Sequence, residues 1–88
     1  MIDMPGMSPS RRVLETTGTH VIIGVQPPKW MKLPEQKLRL TMDQYKRYCG
    51  WLANGGLIQQ VFPEIDPDQR EIMQSGIGPQ DWNRLFPT

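Results

Sequence analysis

The chain has one cysteine and one histidine among its 88 residues. A single thiol excludes an internal disulfide framework, and one Cys with one His falls short of a zinc site. A phosphate-cradling loop is missing too, because Gly55-Gly56 is followed by Leu57 where such a loop needs lysine. Neither a metal nor a cofactor is expected. No apolar run approaches the roughly 20 residues of a membrane span. The start, MIDMPGMSPS, has no apolar stretch of the kind that forms a secretory leader. These features lead us to expect a reducing, cytoplasmic setting and no membrane partner. Excess charge of one sign is also missing: ten Lys and Arg face nine Asp and Glu, for a net +1 and a pI of 7.9. A dedicated nucleic-acid binder usually lies above about pI 9.

What is present is a small domain's worth of apolar residues, 38% against 22% charged, which suits a folded chain rather than a disordered one. At this length there is room for one core. Residues 1–10 hold two prolines, a glycine and three methionines without periodicity, and are expected to form a flexible arm. Residues 11–88 are expected to form a single domain, with a basic β half (11–41) and a helical half (42–88). Val13, Thr16 and Thr17, then Gly18, then Val21, Ile22, Ile23 and Val25 read as a hairpin ended by Pro27-Pro28. KWMKLP has no clear period and reads as a crossing loop. EQKLRLT alternates, with Leu38 and Leu40 facing one way and Lys37 and Arg39 the other.

From Thr41 the period changes to that of a helix. Thr41 and Gln44 have capping-box spacing, and Asp43 sits where the helix dipole favours a carboxylate. Met42, Tyr45, Cys49 and Leu52 follow as an apolar stripe, widened by Tyr48 and Trp51. On that spacing Cys49 is expected in the core, and the alternative is that the stripe forms a homodimer interface. Asn54-Gly55-Gly56 stops the helix, and LIQQVF reads as one or two turns. Asp66-Pro67 opens another helix that stops at Gly76, and a last one starts at Pro79 with Trp82, Leu85 and Phe86 expected inward. The predicted fold class is α+β: a small antiparallel sheet, hairpin plus one strand, followed by three to four short helices.

Catalytic residues are hard to find in this chain. His20 reads as a turn residue, Cys49 as a small hydrophobe, and Asp66 and Asp68 as caps, so no enzyme is expected. Charge distribution is more informative. Residues 11–47 hold eight Lys and Arg against three acidic residues, whereas residues 48–88 hold two against five. Arg11, Arg12, Lys29, Lys32, Lys37 and Arg39, with Lys46 and Arg47, are expected to gather on one side of the sheet. Trp30 lies between Lys29 and Lys32, an interleaving suited to an acidic protein surface or to a stacked base. With three tryptophans and six methionines the chain also carries a large apolar payload for so small a core.

The run LIQQVFPEIDPDQREIMQSGIGPQDWNRLFP resembles a tail shared by small uncharacterised proteins of bacteriophages and prophages. The matching positions are Leu57, Ile58, Gln59, Phe62, Pro63, Arg70, Glu71, Ser75, Gly76, Pro79, Trp82 and Phe86. The resemblance covers roughly residues 41–88 and leaves the basic half unmatched. It implies a mobile-element origin and brings over no catalytic residue. We therefore expect a non-enzymatic binding protein that modulates or blocks a host or phage protein in the host cytoplasm. The expected contact set is Arg11, Arg12, Lys29, Trp30, Lys32, Lys37 and Arg39, with Trp30 as anchor; the equal alternative for Trp30 is a lid on the core. The alternatives are a nucleic-acid-binding accessory protein and a minor structural or assembly component of a phage particle.

Overall fold

β-Branched residues dominate the middle strand, β2 (His20–Gln26), and they build the sheet. β2 pairs antiparallel with β1 (Ser10–Thr16) on one side and β3 (Gln36–Thr41) on the other, in the order β1-β2-β3. The computed structural model describes residues 8–86. Most of the expected arm, residues 1–7, lies outside them, and its last residue, Ser10, already belongs to β1. The hairpin turn works through a side chain: the Thr17 hydroxyl accepts from the backbone N–H of His20 at 2.9 Å and from that of Thr19 at 3.3 Å. A bulge between Val13 and Glu15 leaves Leu14 without a partner on β2. A 3-10 turn, Lys29–Met31, interrupts the stretch expected to be a plain loop.

Strand alternation decides what each face carries. Val21, Ile23 and Val25 of β2 and Leu38 and Leu40 of β3 point to one side and are buried there. Four helices follow: α1 (Met42–Asn54) and α3 (Pro67–Ser75) pack on that side, α2 (Ile58–Val61) packs against both of them, and α4 (Pro79–Leu85) ends the described fold. The architecture is therefore the expected α+β one, a three-stranded antiparallel sheet followed by four helices. Tyr48, Ile58, Phe62, Ile72 and Met73 supply the helical half of the core.

Local signals set the helix ends. Gln44 N–H donates to the Thr41 hydroxyl at 3.1 Å while Thr41 N–H donates to the Gln44 side chain at 3.0 Å, closing the capping box. β3 thus runs into α1 with no intervening loop. Asp66 caps α3 by accepting from Gln69 N–H at 3.0 Å. Gly76 ends α3 at φ 80°, and a Cβ there would stand 3.0 Å from the backbone nitrogen of Pro27, so backbone conformation and space both require glycine.

Two expectations about the helices are overturned. In α1 only Tyr48 is fully buried, whereas Met42, Cys49 and Leu52 are exposed and Tyr45 is half-buried. The cause is placement: α1 packs over β2 and β3, so its flank toward β1 overhangs open ground. The stripe is thus not the core, and Cys49 is not a buried thiol. In α4, Trp82, Leu85 and Phe86 are exposed and Asp81 is the inward residue, its carboxylate 3.8 Å from Arg84. Trp82 packs instead on Phe86, with ring centroids 4.6 Å apart. The segment is held down by buried Ile77 and by Gly78, which lies close against Gln36.

One polar knot ties three elements together. The Tyr48 hydroxyl donates to the Met73 carbonyl at 2.6 Å and accepts from Arg11 Nε at 2.6 Å. Arg11 Nη2 donates in turn to the carbonyls of Met73 at 2.9 Å and Gln74 at 3.1 Å. Tyr48→Phe removes the hydroxyl at the centre of this knot and is expected to cost about 1–2 kcal/mol in urea denaturation. Leu52→Ala, on the exposed flank, is expected to stay within about 0.5 kcal/mol.

Candidate binding surface

Adjacent arginines on a strand point to opposite faces, and that separates the expected contact set. Arg11 is level with buried Val25, points to the helix side, and is committed to the knot with Tyr48, Met73 and Gln74. It is not on the basic face. Arg12 is level with Gly24 on the outer face, beside Lys37, and Arg39 lies there level with Ile22. Lys29, Trp30 and Lys32 sit beyond the end of β2, on and just after the 3-10 turn. Arg47 is also committed elsewhere: it pairs with Asp43 and Glu64, donates to the Val61 carbonyl at 2.7 Å and lies over the Phe62 ring.

The outer face is less positive than the sequence suggests, because Glu35 folds onto it. Both Glu35 oxygens accept from Arg12, at 2.9 and 3.0 Å. This hydrogen-bonded pairing holds the Glu35 carboxyl below its ordinary range and raises the Arg12 guanidinium. Gly24 makes the arrangement possible, since a Cβ there would lie 2.7 Å from the Glu35 carboxylate. Glu15, level with Ile22, adds a second carboxylate to the same face. Sequence reading missed this neutralisation, because only the folded loop carries Glu35 back over β2.

The turn keeps its positive charge and exposes its aromatic side chain. Trp30 is 61% exposed, with Lys29 and Lys32 exposed on either side. Its backbone is fixed: Pro27 and Pro28 are buried before it, and Met31 N–H donates to the Pro28 carbonyl at 3.0 Å. Lys32, at φ 55°, closes the turn with its N–H on the Lys29 carbonyl at 3.1 Å. The Gln26 amide donates to the Leu33 carbonyl at 2.8 Å and folds the following loop back toward the sheet. Grooves open on both sides of the indole, one of about 370 Å³ with Pro27 and Pro28, the other of about 310 Å³ with Met31 and Ile77.

No protein-family model, curated protein or solved structure matches this chain. The geometry of its own side chains is what bears on chemistry. His20 Nδ1 lies 2.8 Å from the Thr19 hydroxyl at the hairpin end, level with Thr41 on the outer face. Cys49 lines a groove on the helix side with Ile23, so the sheet separates this histidine from this thiol. Among the described residues no cluster of His, Cys, Asp and Glu could hold a metal ion, and no helix is long and apolar enough to cross a membrane.

The Arg47 clamp makes an acid-dependent contribution. Glu64 accepts from Arg47, its largest perturbation, then from a backbone N–H and from the Gln44 side chain, which together lower its pKa from 4.5 to about 2. A carboxyl depressed on folding stabilises fully above its unfolded pKa and loses that stability as pH falls through the folded value. The loss is therefore expected between about pH 4.5 and pH 2. Exposure to solvent limits it to about 1 kcal/mol or less. Denaturation midpoints measured down that range should fall less for Glu64→Gln than for the wild-type chain.

Proposed function

We propose that this chain is a non-enzymatic protein-binding module that docks an acidic segment of a partner on the Trp30 turn. The observation that carries the reading is an exposed indole held on a fixed turn, with an apolar groove on each side and a lysine before and after it. A rigid aromatic buries large area on binding at small entropy cost, which is why such residues dominate interface energetics. Lys29 and Lys32 steer carboxylates toward it, and Lys37 and Arg39 extend the same field along the outer face. Arg12, neutralised by Glu35, adds little to that field, and Arg11, turned inward, has no part in the contact. The phage-type tail of residues 41–88 supports a mobile-element origin, with a host protein in the host cytoplasm as target.

An exposed indole between lysines also suits an unstacked base. The two carboxylates on the outer face, Glu35 and Glu15, weigh against a phosphate track there, and the balanced net charge of +1 points the same way.

Selection of random short peptides on the folded chain tests the reading. We expect sequences with acidic residues around one apolar anchor, and Trp30→Ala should weaken them by at least about tenfold. Lys29→Glu with Lys32→Glu should slow association. Peptides without acidic bias, or binding indifferent to Trp30→Ala, would count against the proposal. Micromolar binding to single-stranded DNA that falls steeply with salt would replace it with the nucleic-acid reading.

A further inference from the structure

β1 is an edge strand, and beyond Arg11 its inner face is left open around Val13. Among the described residues β1 pairs only with β2, and α1 and α3 pack over β2 and β3. Val13 therefore points toward the helix layer yet is 49% exposed. Beside it lies a groove of about 180 Å³ lined by Val13, Ile23, Tyr45, Cys49 and Leu52, with Leu52 46% exposed. An unpaired strand edge next to an open apolar groove is a template for another strand.

We infer that this edge pairs with a second copy of the chain, β1 against β1, to give a continuous six-stranded sheet about a two-fold axis. The strand's own charges favour this occupant. Arg12 and Glu15 lie on the same outer face because the bulge at Leu14 shifts the alternation; in a regular strand they would face opposite ways. In the antiparallel register that sets Arg12 opposite the partner's Glu15, symmetry forms the ion pair twice. Val13 then stands opposite the partner's Leu14. Among the described residues Glu15 has no ion-pair partner of its own, and Arg12, most of whose side chain is exposed, can bridge Glu35 and the incoming carboxylate. The two-fold axis runs perpendicular to the sheet, so both helix layers lie on one side and the two grooves meet there. This surface is separate from the Trp30 turn and does not depend on the function proposed for it.

Sedimentation of the full chain over a wide concentration range tests the pairing. The mass is expected to rise reversibly from 10.2 kDa toward twice that value. Glu15→Lys sets like charges opposite each other at both pairs and should weaken the dimer by about tenfold or more. Val13→Asp puts a charge into the apolar junction and should weaken it further. Trp30→Ala should leave it unchanged. Both Val13 and Glu15 are exposed, so circular dichroism should show intact folds; should Val13→Asp unfold, Glu15→Lys alone decides. A single 10.2 kDa species at millimolar concentration overturns the inference. So does a dimer indifferent to both substitutions.

Discussion

The tie from Arg11 through Tyr48 to the end of α3 is the interaction on which the arrangement depends. The last carbonyls of a helix have no intrahelical donors, and at the C-terminal end of α3 they face the protein. Arg11 and Tyr48 supply the missing donors at Met73 and Gln74, and the guanidinium puts positive charge at the negative end of the helix dipole. The same side chains bring in aromatic packing. Arg11 lies over the rings of Tyr48 and Trp51, which stack with their planes 7° apart. One arginine on an edge strand thus fixes α1 and α3 relative to the sheet, and burial of the tyrosine raises its pKa, keeping it the neutral donor this role needs.

Features written in short stretches of sequence were readable, and features set by tertiary placement were not. Alternation in Lys37-Leu38-Arg39-Leu40, the Thr41–Gln44 box, the Asp66 cap and the Gly76 stop all depend on neighbours within a few residues. Which flank of α1 is buried depends on where the helix crosses the sheet, and no spacing within the helix specifies that. Tyr48, which only widened the apolar stripe, became its buried centre, while Cys49 and Leu52 were left outside. In α4 the aromatic residues promised an inward face, yet Trp82 and Phe86 satisfy each other at the surface. The candidate site was legible in part. An aromatic between two lysines after a proline pair is a local pattern, and it survives as the Trp30 turn. The gathered basic face did not survive, because one arginine turned inward and another met a glutamate from a distant loop.

Functional surfaces and structural ties are therefore kept apart. Arg11 and Arg47 spend their donors inside the fold, on backbone carbonyls, on the Tyr48 hydroxyl and on the Asp43 and Glu64 carboxylates, while Lys29 and Lys32 beside Trp30 remain at the surface. Lysine suits such positions, since its point charge steers without needing the forked geometry that Arg11 and Arg47 use.

Gly24 gives this division an unexpected dependence. The residue carries no charge and no side chain, yet the space above it admits the Glu35 carboxylate to the outer face. The electrostatic potential of that face is thus governed sterically: the vacancy at one uncharged position sets how much of the Arg12 charge reaches solvent. A lineage of such chains has a route to a more strongly positive surface that changes no ionisable residue at all.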